Sequence, residues 1–254
     1  MSENDTARLD NLDMLINSLM NDGGQRLAIP HDLKGKQQLM RALMNVRPPQ
    51  PATEEFLRRQ DRELQWQMAD KGIVEPQGKG LLVWQGDITR LKVDAIVNAA
   101  NSELLGCFIP LHSCIDNAIH SAAGIQLRDA CYRIMRAQSH VVATGTAKIT
   151  PGFNLPAKYV IHTVGPIIPD GQPTSEQEEQ LASCYRSCLD IAEDYGLHSI
   201  AFCCISTGVF HFSRRRAAEI AVETVRSYPK KNIDTVIFNT FKDEDGYIYR
   251  QLVQ

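Results

Sequence analysis

Two hydrophobic periods divide the chain. Up to about residue 75 the apolar positions recur at helical spacing, and beyond Gly78-Lys79-Gly80 short apolar runs alternate with helical stretches. Leu9, Leu12, Leu15, Ile16 and Leu19 form one face of a first helix, which Asp22-Gly23-Gly24 ends. A second helix is predicted from Leu33 to Val46, with Leu39, Met40 and Leu43 inward, and Pro48-Pro49-Gln50-Pro51 breaks it. Thr53 caps a third, with Glu54 and Glu55 in the first turn, where carboxylates suit the helix dipole. Phe56, Leu57, Leu64 and Met68 give that helix its apolar side, and Gly72 ends it. Three short helices bury little surface alone, so they are expected to pack on the remainder of the chain.

The second period predicts strands at Leu81–Gln85, Ala95–Asn98, Ala147–Thr150, Tyr159–Thr163, Ser199–Ile205 and Thr235–Asn239. Between them lie helical patterns at Asp116–Met135, interrupted near Gly124, at Gln177–Tyr195, around Ala217–Val225 and at the C-terminus. In Gln177–Tyr195 the inward set is Leu181, Cys184, Tyr185, Cys188 and Ile191. Strands alternating with helices predict an α/β sandwich on a largely parallel sheet. The expected division is a helical extension over 1–78 and an α/β domain over 79–254. Ligands of such folds sit outside the carboxyl ends of the strands, so the loops after the strands are the place to look.

Composition narrows the function classes. Hydrophobic residues make up 43% and charged residues 22%, ordinary for a soluble globular protein. The net charge of −3 argues against a general nucleic-acid binder. The N-terminus MSENDTARLDNLD is acidic, lacks an apolar core and does not read as a secretory signal. No run approaches the roughly 20 apolar residues of a membrane helix. The seven cysteines, an odd number, fit reduced thiols better than a disulfide framework. A cytoplasmic, monomeric protein is expected.

The densest chemistry lies between Gly86 and Gly124. Gly86-Asp87-Ile88-Thr89 comes directly after the first core strand; the Asp87 carboxylate suits a ligand amino group such as that of adenine, or a structural Asx turn. Asn98-Ala99-Ala100-Asn101 ends the second strand, and an asparagine offers donor and acceptor to a sugar diol or to its own turn. Cys107, His112 and Cys114 combine two thiols and an imidazole at compact spacing, a set that suits Zn2+ with one coordination position left open. The competing readings are a closed structural site completed from a distance, and a cysteine pair beside an unrelated histidine. His112, Cys114 and Asp116 alternate by two, so an extended stretch would point all three the same way. Otherwise Asp116 merely caps the adjoining helix. Farther on, Ile205-Ser206-Thr207-Gly208-Val209-Phe210 is a turn of small residues ahead of a helix, an arrangement that presents N–H groups to an anion. Arg214, Arg215 and Arg216 crowd that helix's first turn, against its dipole, as a docked diphosphate or plain solvation would explain. His120, His162 and His211 read as core or loop histidines.

Taken in order, GDIT, VDAIVNAAN, DNAIHSAAG, TGTAKIT, YVIHTVGP and ISTGVF, over about residues 81 to 240, resemble the macrodomain family. That family binds ADP-ribose, and many members hydrolyse it from modified proteins. The resemblance implies a three-layer α/β/α sandwich on a mixed, largely parallel sheet. One departure is informative: the glycine-rich run of many hydrolytic members is replaced here by Gly106-Cys107-Phe108-Ile109-Pro110-Leu111-His112-Ser113-Cys114. With the N-terminal helices, this is similar to the zinc-dependent macrodomains of microbes.

The resemblance implies roles residue by residue. Asp87 and Ile88 would hold adenine. Asn101 and Asp116 would act at the distal ribose, Asp116 as the group that positions or activates water. Cys107, His112 and Cys114 would hold one Zn2+, with Cys114 and Ile115 also against the ligand. Ser206, Thr207, Gly208, Val209 and Phe210 would wrap the diphosphate and distal ribose. The implied activity is release of mono-ADP-ribose from modified Asp or Glu side chains; the alternative is a non-catalytic reader with a structural zinc. The implied partner is a mono-ADP-ribosylated protein, with a lipoyl carrier modified by a sirtuin-type transferase as one candidate. A separate alternative for the N-terminal helices, beside packing on the remainder, is that they form part of a substrate-protein surface.

Overall fold

The structure, a computed structural model, describes residues 3–254; the first two residues of the expected 1–78 extension lie outside them. Three helices come first: α1 (Glu3–Asp22), α2 (Leu33–Val46) and α3 (Glu54–Lys71). Their ends obey the sequence signals. The Thr53 side chain accepts from Phe56 N at the start of α3, and Gly72, at φ 75°, ends it. Leu12, Leu15, Ile16, Met40, Leu43, Phe56 and Leu64 bury their side chains against one another, joined from the rest of the chain by Ile125. The three helices therefore pack on the remainder chiefly through polar contacts.

Six strands come next: β1 (Gly80–Gln85), β2 (Ala95–Ala99), β3 (Ala147–Pro151), β4 (Tyr159–Thr163), β5 (Ser199–Phe202) and β6 (Thr235–Thr240). They form one sheet in the order β1-β6-β5-β2-β4-β3, parallel except for β3, which runs antiparallel to β4 at the edge. The helices α4 (Ile115–Ala123), α5 (Ile125–Gln138), α6 (Ser175–Asp194), α7 (Arg214–Ser227) and α8 (Asp243–Val253) pack around the sheet as the outer layers of an α/β sandwich. The central strands are buried on both faces, which is why AIVN, YVIHT and TVIFN read as continuous apolar runs. The fifth strand is shorter than its pattern predicts. It stops at Phe202, and Cys203 to Ile205 already belong to the loop beyond it.

The break between α4 and α5 falls at Gly124, as expected. Its φ is 96°, and a Cβ there would lie 2.7 Å from the Gln60 side chain of α3, so glycine is needed for the backbone and for the approach of the extension. No helix among the described residues is long and apolar enough to cross a membrane.

His162 of β4 is fully enclosed in the sheet. Its Nε2 meets Thr150 Oγ1 at 3.0 Å and its Nδ1 meets Asn98 Nδ2 at 3.2 Å. Burial lowers its pKa from the ordinary 6.5 to about 3, so the folded protein holds it neutral. The unfolded chain binds a proton at His162 below about pH 6.5, and the folded chain does so only near pH 3. Stability contributed by neutral His162 is thus present above pH 6.5 and lost as pH falls towards 3. The acid limb of a melting-temperature profile is expected to be steeper in the wild type than in His162→Gln; parallel limbs would remove this histidine from the account.

Candidate active site

The carboxyl ends of β1, β2, β5 and β6 open into one cavity of about 1100 Å3. Gly86 to Thr89 contribute from the loop after β1, Ala99 from the end of β2, and Ser206 to Phe210 from the loop after β5. Asn239, Phe241 and Lys242 contribute from the end of β6 and beyond. Leu111 to Ile115 form another edge, and α2 and α3 close the side opposite the sheet. The N-terminal helices are therefore a wall of the cavity, which their own sequence did not specify.

Asp87 makes the Asx turn and still faces the cavity. Its Oδ1 accepts from Thr89 N at 3.0 Å and Thr89 Oγ1 at 2.6 Å, and Ile88–Arg90 form a 3-10 turn. Its Oδ2 accepts from Lys71 Nζ at 3.2 Å, at the end of α3. Burial acts to raise the Asp87 pKa, but the Thr89 hydrogen bonds and the Lys71 charge outweigh it and hold the carboxyl below its usual range. Arg90 Nε donates to Gly72 O at 2.7 Å, and Val74 pairs with the backbone at Arg90 and Lys92, so α3 and the Asp87 turn are pinned together.

The loop of Ser206 to Phe210 curls tightly. Ser206 takes φ 63° and its Oγ is buried without a partner. His211 N bonds Gly208 O and Phe212 N bonds Ser206 O, whereas the N–H groups of Thr207 to Phe210 have no acceptor among the described residues. Four free N–H groups and an orphaned hydroxyl at one turn suit an anion. The arginines after it have other employment. Arg214 pairs with Glu244; Arg215 donates to Gln251 Oε1 at 2.9 Å; Arg216 donates to Glu178 at 2.7 and 2.8 Å. Carboxylates and an amide on α6 and α8 thus explain the basic turn, and no diphosphate is needed for it.

Cys107, His112 and Cys114 converge. Their ligand atoms lie within 4.8 Å of one another, and Cys107 Sγ is 3.6 Å from His112 Nδ1. Tetrahedral bonds of about 2.3 Å to sulfur and about 2.1 Å to nitrogen set an S···N edge of roughly 3.6 Å, so the set fits a zinc-sized ion. Burial pushes the Cys114 thiol up to about 11, with Cys107 and Asp116 adding, although Cys114 caps α4 and accepts from Asn117 N at 3.4 Å.

Asp116 departs from the expectation of a common direction. The extended stretch ends at Cys114, α4 begins at Ile115, and helical rotation turns Asp116 inward. It is 6% exposed, behind the wall formed by Cys114, Ile115 and Ala118, and Asn98 Nδ2 donates to its Oδ1 at 2.8 Å. His120 Nε2 lies 3.5 Å from the same oxygen. Burial pushes the Asp116 carboxyl up to about 6, against the Asn98 hydrogen bond and the Arg128 charge. Asn101 is exposed and occupied locally: its Oδ1 accepts from Glu103 N at 3.1 Å and its Nδ2 donates to Gly106 O at 3.3 Å. Neither residue, nor Cys107, lines the cavity.

The residues missed in the sequence are those that hold the 105–114 loop. Arg128 of α5 is buried; it donates from Nε to Leu105 O at 2.7 Å and from Nη1 to Met44 O at 3.0 Å and to Arg47 O. Its guanidinium lies 4.2 Å from the centre of the Phe108 ring. From α2, Asn45 Oδ1 accepts from Leu111 N at 3.0 Å, and Arg41 Nη2 donates to His112 O at 3.3 Å and to Asn117 Oδ1 at 2.7 Å. Asn117 in turn donates to Ile109 O at 3.0 Å. Arginine and asparagine in helical patterns read as solvent-facing, so nothing local marks these anchors.

A family model described as Macro domain matches residues 97–221. A protein-ADP-ribose hydrolase of Treponema medium is 53% identical over 236 residues, covering 89% of this chain and 90% of that protein. The chain belongs to the macrodomain family. A protein-ADP-ribose hydrolase of Staphylococcus aureus is 47% identical, covering 94% of each chain. Among solved structures, the Oceanobacillus iheyensis macrodomain with ADP superposes with a TM-score of 0.62 at 38% identity, covering 69% of this chain and 93% of that one. The remainder of this macrodomain lies outside that superposition.

Replacing Arg128 by Met leaves three carbonyls without their donor. The expected cost is about 3 kcal/mol, read as a lower urea midpoint with an unchanged slope. An unshifted midpoint would show that the guanidinium is not holding the loop to α2.

Proposed function

We propose that this macrodomain is a protein-ADP-ribose hydrolase, acting on mono-ADP-ribose linked to acidic side chains with the help of a zinc ion. The observation that carries it is the convergence of three features on one cavity: the Asp87 turn, the N–H-rich loop of Ser206 to Phe210, and His112 and Cys114 of the Cys/His set, with Cys107 beside them. The names of the relatives in Treponema and Staphylococcus support the hydrolase.

In this reading Asp87 accepts the adenine amino group, exchanging or sharing the contact with Lys71, and Ile88 packs beside it. The backbone N–H groups of Thr207 to Phe210 hold the diphosphate, Ser206 Oγ gains the partner it lacks, and Phe210 packs on the distal ribose. Cys107, His112 and Cys114 would hold the zinc, which would supply a Lewis acid. Water adds at the anomeric carbon, the bond to the carboxylate oxygen breaks with its electron pair, and the water gives up a proton. Free ADP-ribose and the unmodified side chain result. Asp116 positions the water or receives the proton, and Asn98 fixes the orientation of its carboxylate.

One observation favours a second reading, a reader that binds without turnover. Asp116 lies behind the wall rather than on it. An assay of ADP-ribose release from aspartate- or glutamate-linked mono-ADP-ribosylated protein, with metal content in parallel, separates the two. Cys114→Ala is expected to lose both the metal and release. Asp116→Ala is expected to keep metal and ADP-ribose binding and to lose release by at least about 100-fold. Wild-type protein that binds ADP-ribose and releases none from any linkage would establish the reader.

A further inference from the structure

The cavity is large. At about 1100 Å3 it passes the upper end of ligand pockets, which run from about 300 to 1,000 Å3. Part of its lining comes from α2. Lys34, Gln37, Gln38 and Arg41 line it from one face of that helix, spaced as i, i+3, i+4 and i+7. Of the cavity residues on α2 and α3, Lys34, Arg41 and Lys71 are cationic and none is acidic. The sequence of α2, LKGKQQLMRALMNV, holds no carboxylate at all. In a chain of net charge −3 this wall is a local reversal of sign.

Most of its polar groups are already engaged. Arg41 holds the metal-set loop, Lys71 holds Asp87, and Gln37 Nε2 donates to Glu63 Oε1 at 3.0 Å. Lys34 and Gln38 are exposed and have no partner among the described residues. Arg41 touches His112, so its end of α2 marks the place where the distal ribose, and with it the modified side chain, is held in the proposed reading. Lys34 stands seven residues away on the same helix, roughly 10 Å at about 1.5 Å per residue. An extended peptide covers that distance in about three residues.

We propose that the α2 wall seats the acceptor protein's own chain beside the modified residue, and that Lys34, with Gln38, selects an acidic residue two to four positions away from it. This rests on the hydrolase reading and names its substrate class: mono-ADP-ribosylated segments with flanking Asp or Glu. The occupant is a polypeptide, since one unpaired cation among the described wall residues of an acidic chain gives no purchase to a nucleic acid.

The experiment compares two mono-ADP-ribosylated peptides, one with glutamates flanking the modified residue at these positions and one with glutamines. The acetyl ester of ADP-ribose serves as a substrate without a peptide. Wild-type kcat/KM is expected to favour the acidic peptide by about three- to five-fold, the upper part of the range of one exposed ion pair, and the preference is expected to shrink at 0.5 M salt. Lys34→Glu is expected to abolish or invert the preference while leaving ADP-ribose affinity by calorimetry and turnover of the ester unchanged. Gln38→Glu is expected to weaken it in the same direction. Equal wild-type rates on the two peptides, or a preference that survives Lys34→Glu, would overturn the proposal. Absence of release from both peptides and the ester would instead overturn the hydrolase reading, and peptide affinities by calorimetry would then decide the wall by the same preference.

Discussion

A buried positive charge organises the meeting of the two parts of the chain. The Arg128 guanidinium comes from α5, takes two carbonyls from the end of α2 and one from Leu105, and stacks on Phe108. A charge removed from water is tolerable only while such partners stay in place. Movement of α2 away from the sheet would therefore strip Arg128 of its acceptors and free the loop that carries the metal set. That loop has no regular hydrogen-bond ladder, and it contains positive φ angles at Leu104, Gly106 and Leu111. Leucine in that region is strained by roughly 1–2 kcal/mol, so the loop keeps its shape because it is held from outside. At Gly106 a Cβ would lie 2.9 Å from the His120 ring, which fixes how closely the loop must approach α4.

Behind the loop runs a buried polar chain from Asp116 through Asn98 and His162 to Thr150. It crosses from α4 through β2 and β4 to β3, so the orientation of one carboxylate is tied to the register of three strands. Such a network rigidifies when every member is satisfied and weakens when one is not. His120 marks its incomplete edge: both ring nitrogens are buried without a hydrogen-bond partner, and burial keeps that ring neutral.

The legibility of the fold in the sequence depends on how far apart the interacting residues are. Thr53, Gly72, Gly124 and the apolar runs of the sheet act on their own neighbours, so the helices and all six strands were legible, within a few residues at their ends. Asp87, the loop of Ser206 to Phe210, and the Cys/His set lie on or beside the cavity, because loops after parallel strands collect at one end of the sheet. The rest depended on partners 60 to 90 residues away. Arg41 with Asn117, Gln60 with Gln126 and Arg128 with Met44 leave no local pattern. Nor could alternation predict the direction of Asp116, since the change from extended chain to helix falls two residues before it.

The sheet also dictates an order of events. Among the described residues strand β1 pairs only with β6 across the ladder, Gly80 against Thr235 and Gln85 against Thr240. Closing a contact of such sequence separation is slow and entropically costly. During synthesis the segment bearing Asp87 must wait, without its neighbour strand, until the last part of the chain has emerged from the ribosome. The loops of β2 and β4 need no such delay, since their strands pair with each other. One end of the cavity is therefore assembled early from nearby segments, and the other is completed last. A chain cut short before residue 235 would keep the Cys/His set and lack the partner that seats the Asp87 turn.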